Sequence, residues 1–96
     1  MRTSRRPALD PDTIAIRALG FIASDPERLG RFLAATGIGP ETLRSAAAEP
    51  RFLAAVIDFL SEDEGAILAF SANEGLAPEA VTFAREALAG RSAGEP

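Results

Sequence analysis

Five of the seven prolines stand where a helix would begin, and this constrains the chain more than any other feature. Proline has no N–H to donate and a φ fixed near the helical value. It therefore suits the first position of a helix and breaks one further in. Asp10-Pro11, Asp25-Pro26-Glu27, Gly39-Pro40-Glu41, Glu49-Pro50 and Ala77-Pro78-Glu79 each read as a helix start. In each, an acidic residue is placed to cap the helix or face the positive end of its dipole. Ser61-Glu62-Asp63-Glu64 reads as a capping box that opens one more helix, with Ser61 at N-cap and Glu64 three residues on. Gly37, Gly75 and Gly90 suit the left-handed position that ends a helix.

The spacing between these marks is helical. Leu29, Phe32, Leu33 and Thr36 follow i, i+3, i+4, i+7, and so do Leu53, Val56, Ile57 and Leu60. Val81, Ala84 and Leu88 mark one stripe of the last segment. No stretch alternates apolar and polar residues over the length of a strand. The expectation is an all-α fold, a compact six-helix bundle in one domain over residues 10–90. A disordered basic tail over residues 1–9 and a loose tail over 91–96 are expected to flank it.

A shift of 38 positions lays the chain on itself. Leu29/Ile67, Phe32/Phe70, Gly37/Gly75, Ile38/Leu76, Pro40/Pro78, Glu41/Glu79 and Leu43/Val81 coincide, and Asp25/Asp63 extends the match upstream. The Gly-aliphatic-x-Pro-Glu corner carries the comparison, because its members do different mechanical jobs. Gly ends one helix, the aliphatic residue tucks under the turn, Pro starts the next helix and Glu faces its dipole. The bundle therefore reads as two pseudo-repeated three-helix units.

What the chain lacks narrows its chemistry. It has no Cys, His, Trp, Tyr or Lys. A thiol nucleophile, a disulfide framework, a zinc-finger ligand set and a serine activated by histidine are thereby excluded. Arg2, Arg5 and Arg6 lie in the first six residues, and the rest carries seven Arg against fourteen acids, a net of −7. Such a body repels nucleic-acid phosphates and anionic lipid. Ser4-Arg5-Arg6-Pro7 superficially resembles a twin-arginine export signal, but Asp10, Asp12 and Arg17 interrupt the apolar stretch that should follow. The apolar runs are near ten residues, short of the ~20 that span a bilayer. The cytoplasm is the expected compartment.

Motifs that invite sharper readings have plainer ones. Phe32, Leu33, Gly37, Ile38 and Leu43 sit much as in a helix-turn-helix, but the helix that follows brings Arg44 against Glu41 and Glu49. The acids of Ser61–Glu64 are explained by a cap and a dipole rather than by a cation. Gly37-Ile38-Gly39 has neither a preceding strand nor a lysine and reads as a turn rather than a phosphate loop. No cofactor, metal or small-molecule substrate is indicated.

The first and fourth helices are apolar on nearly every face, with Arg17 and Asp58 their internal charges. Helices of that kind are normally buried all round, and a chain this short rarely encloses two. The expectation is an apolar strip offered to a protein partner or to a second copy as a homodimer, with Ile14, Ile16, Phe21, Phe52 and Phe59 on it. An Arg17–Asp58 ion pair is the matching expectation for the two charges, since a buried charge without a partner is costly.

Arg17 to Ala23, Asp25 to Leu33, Gly37 to Pro40, Phe52 to Leu60 and Gly75 to Glu79 together resemble a small proteobacterial all-helical domain family of unknown function. That resemblance covers residues 13–89 and implies a compact stand-alone protein with no catalytic residues to carry over. The functional expectation is an intracellular interaction or adaptor module. A weak nucleic-acid-associated regulator using the helical corners and the Arg tail is the first alternative, and an enzyme the last.

Overall fold

A computed structural model describes residues 10–93. Among them it is all-helical: α1 (Pro11–Ala23), α2 (Pro26–Thr36), a 3₁₀ turn (Pro40–Thr42), α3 (Leu43–Ala46), α4 (Pro50–Ser61), α5 (Glu64–Glu74) and α6 (Pro78–Ala93). All five helical starts at proline are present. Asp10 caps α1 by accepting the Thr13 N–H at 2.8 Å, and Asp25 caps α2 by accepting the Glu27 N–H at 3.1 Å. Gly37 and Gly75 end α2 and α5 at φ 73° and 68°, a conformation that penalises any Cβ.

Three boundaries differ from the sequence reading. Ser61 is the last residue of α4 rather than a cap, and Asp63 caps α5 by accepting the Ala66 N–H at 3.2 Å. Asp caps as well as Ser does, and α4 runs one residue further than the sequence reading, through Ser61. The third helix is short and begins as a 3₁₀ turn. There the Thr42 hydroxyl donates to the Gly39 carbonyl at 2.9 Å and the Ser45 hydroxyl to the Thr42 carbonyl at 3.3 Å. Such local side-chain bonds compete with the regular helical ladder. Gly90 lies inside α6, which continues to Ala93, so residues 91–93 belong to the helix and not to a loose tail. The expected basic tail at 1–9 and residues 94–96 lie outside the described residues.

α4 is the centre of the fold. It packs on α1, α5 and α6, and α1 packs in turn on α2 and α6. Phe52, Leu53, Ala54, Val56, Ile57 and Leu60 of α4 are buried against Ile14, Ala15, Ala18 and Ile22 of α1 and Val81, Ala84 and Leu88 of α6. The two helices that are apolar on nearly every face thus bury against each other and, at least as extensively, against α6. Edge-on ring pairs join buried phenylalanines to each other and to half-buried ones. Phe32 meets Phe52 and Phe59 edge-on at 5.7 and 5.3 Å, and Phe21 meets Phe70 at 5.6 Å. Five of the six phenylalanines are held in these pairs, and Phe83 is the exception.

Candidate interaction surface

The end of α2, the short α3 and the start of α4 wall an apolar groove of about 380 Å³. It exists because the chain turns sharply between α2 and α3. Gly37 ends α2, and Ile38 then folds back toward the core. Thr36 lines the groove without offering it a free hydroxyl. Its Oγ1 donates to the Phe32 carbonyl at 3.0 Å and accepts the Ile38 N–H at 3.4 Å. Ala35, Ile38, Ala46, Phe52 and Ala55 supply the apolar lining, and Glu49 and Arg51 the only charges on it. Neither Glu49 nor Arg51 has an ion-pair partner among the described residues.

A second cleft of about 390 Å³ is polar and lies where α2 meets the α4–α5 turn. Arg28, Arg31, Glu62, Asp63 and Glu64 line it with Phe59 and Leu60. Arg28 lies 5.0 Å above the Phe21 ring and 3.7 Å from Asp25, so it serves as a lid on Phe21. The three acids of the turn share this cleft. Among the described residues, however, no group of three or more carboxylates is placed to hold a metal ion.

The residues expected on an interaction strip separate in space. Ile14 is only 3% exposed and faces α4 and α6, so it belongs to the core and not to a surface. Phe52 is likewise buried, although its edge reaches the floor of the apolar groove. Phe21 is half-buried beneath Arg28 and against Phe70. Phe59 is half-buried on the polar cleft. Ile16 alone is open to solvent, at 50% exposure. The core closes on one side of α1 and takes Ile14, while Ile16, two residues on, points the other way.

Arg17 and Asp58 do not pair with each other. Arg17 donates to Glu74 at 2.9 Å and Asp58 lies 3.6 Å from Arg85. Both charges sit on the solvent edges of their helices, so burial never forces them together. Each takes the nearest partner on the neighbouring helix instead. A further bridge joins the two ends of the fold, Arg91 to Asp12 at 2.9 Å. The Asp10 carboxyl is held below its ordinary pKa, first by the Thr13 backbone N–H it accepts, then by the Thr13 side chain and by Arg91.

Two surface residues escaped the sequence reading. Phe83 is 68% exposed and Leu68 is 51% exposed. Phe83 could have been found: it falls off the Val81, Ala84, Leu88 stripe, and an aromatic residue off the stripe of a helix is an exposed one. On the wheel of α6 it shares a face with Glu79, Glu86 and Gly90, at positions i−4, i+3 and i+7 from Phe83. Glu79 and Glu86 are exposed and have no ion-pair partner among the described residues.

Among the described residues no helix is long and apolar enough to cross a membrane. A family model described as a protein of unknown function, DUF3572, matches residues 8–91. No curated protein and no solved structure matches the chain.

Proposed function

Because the chain belongs to DUF3572, a family of unknown function, we propose from its surface that it is a small protein-interaction module. The groove between α2, α3 and α4 takes an amphipathic helix of its partner. The groove itself carries this reading. Its lining is apolar over three separate elements, with one acid and one base at its edge, and that is the surface on which a helix lays its apolar face. The hydroxyl of Thr36 is spent on its own backbone, which leaves Glu49 at the edge as the one carboxylate of the lining.

Two features fill out the proposal. The module works in the cytoplasm of a bacterium, a reading that rests on the interrupted twin-arginine pattern and on the family resemblance. It is built from two related three-helix units. Asp25 and Asp63, 38 residues apart, cap their helices at φ −121° and −120°, and the left-handed Gly37 and Gly75 keep the same spacing. The units diverge in their last element, which is four residues of α-helix in the first and sixteen in the second.

The groove is tested by selecting helical peptides that bind the protein and measuring their affinity by fluorescence anisotropy. Ala35 is exposed on the groove wall, so Ala35→Arg fills the groove and leaves the core untouched. The variant is expected to keep its helical circular dichroism and to lose peptide binding. Peptides that bind both proteins equally refute the groove as the site.

A further inference from the structure

The groove needs an amphipathic helix with an apolar anchor, and the chain itself exposes one. Given the interaction reading above, on which this step rests, we infer that the occupant of the groove is α6 of a second copy, anchored by Phe83. Phe83 is the most exposed large apolar side chain among the described residues and the only phenylalanine outside a ring pair. The folded domain gains nothing from it, because α6 holds to the core through Val81, Ala84 and Leu88. A groove of about 380 Å³ has room for a phenyl ring. The aromatic anchor set in an apolar pocket is the usual centre of such contacts.

Charge agrees with the fit. Glu79 and Glu86 flank Phe83 on the same face, and among the described residues neither they nor Arg51 at the groove has an ion-pair partner. A copy seated through Phe83 brings one of those carboxylates to Arg51. Glu49, two residues away, repels the other and so favours one direction of the incoming helix. Groove and anchor are different surfaces, made by different helices, so each copy gives one and takes one. The contact is head-to-tail, and it grows into a closed ring or an open chain rather than stopping at a two-fold dimer.

Two variants test this together, followed by light scattering on a sizing column and by sedimentation velocity at rising concentration. The wild-type protein is expected to assemble beyond a dimer. Phe83→Ala removes the anchor from solvent without touching the core and weakens assembly about tenfold or more. Ala35→Arg blocks the groove and does the same. Mixed, the two restore a single contact, because α6 of the Ala35→Arg chain fits the groove of the Phe83→Ala chain, and a 1:1 dimer forms and stops. Glu49→Gln tightens the wild-type assembly. A wild-type protein that stays monomeric at every concentration overturns the self-association. If helical peptides still bind its groove, the interaction reading survives that failure. Assembly unchanged by Phe83→Ala, or variants that fail to complement, also overturns the proposal, and a two-fold dimer that needs only one of the two surfaces does so equally.

Discussion

Glycines at two kinds of position should respond to the same substitution in opposite directions. Gly37 and Gly75 sit at φ 73° and 68°, where a Cβ is crowded by its own carbonyl, although nothing else lies within 4 Å of it. Alanine there is expected to cost about 1–2 kcal/mol through the backbone alone. Gly20, Gly30 and Gly90 lie within α1, α2 and α6 at helical φ, and a Cβ at each would meet open space. Alanine at these positions removes the entropy that glycine loses in a helix and is expected to gain about 0.5–1 kcal/mol each. For a domain of this size 1 kcal/mol moves the melting midpoint by about 4–8 °C. Thermal and urea melts followed by far-ultraviolet circular dichroism on the five single variants read both signs. Gly37→Ala and Gly75→Ala should melt lower than wild type, and the other three higher. If Gly75→Ala and Gly20→Ala shift the midpoint in the same direction, the division between turn and helix glycines is wrong. Unchanged urea slopes confirm that the shifts come from stability rather than from a change in the surface exposed on unfolding.

Two further outcomes follow from the caps. Asp63→Ala is expected to lose about 1 kcal/mol in a urea melt, and Ser61→Ala close to none, because Asp63 and not Ser61 accepts the Ala66 N–H. The second concerns pH. The folded carboxyl of Asp10 is held below its ordinary value, chiefly by the Thr13 N–H, so its contribution is complete above about pH 4 and is lost as pH falls through the folded value. The melting midpoints of wild type and Asp10→Asn should therefore converge on acidification from pH 7, and a gap that stays constant to low pH would contradict the assignment.

The helices were legible because Pro and capping acids are local signals, decided by one or two residues. The errors lie where a local signal had a rival. Ser61 and Asp63 are both good caps, and with Ser61 taken up as the last residue of α4 it is Asp63 that accepts the Ala66 N–H. Gly90 is a stop signal only if nothing continues the helix, and α6 continues through it. Partners of charges on different helices were not legible. Arg17 finds Glu74 57 residues away and Asp58 finds Arg85 across a helix packing that no spacing in the chain encodes. The groove belongs to the same class, since α2, α3 and α4 create it jointly by their arrangement. Phe83 was readable from the period of α6, but Phe52 and Ile14 were misplaced as surface because an apolar stripe does not say which element covers it.

The Arg91–Asp12 bridge joins residues 79 apart in sequence. It places the beginning of the first helix beside the end of the last. A short linker between those two helix ends, in place of residues 1–9 and 94–96, therefore closes residues 10–93 into a circle with little rearrangement, and new termini can be opened beside the exposed Ala77 without cutting a helix. Such a circular permutant moves α6 from last to first and leaves the order of the other helices unchanged. In the natural order α1 must wait for α4 and α6 before its buried face is covered. In the permuted order α6 precedes α1 and is at hand when α1 emerges.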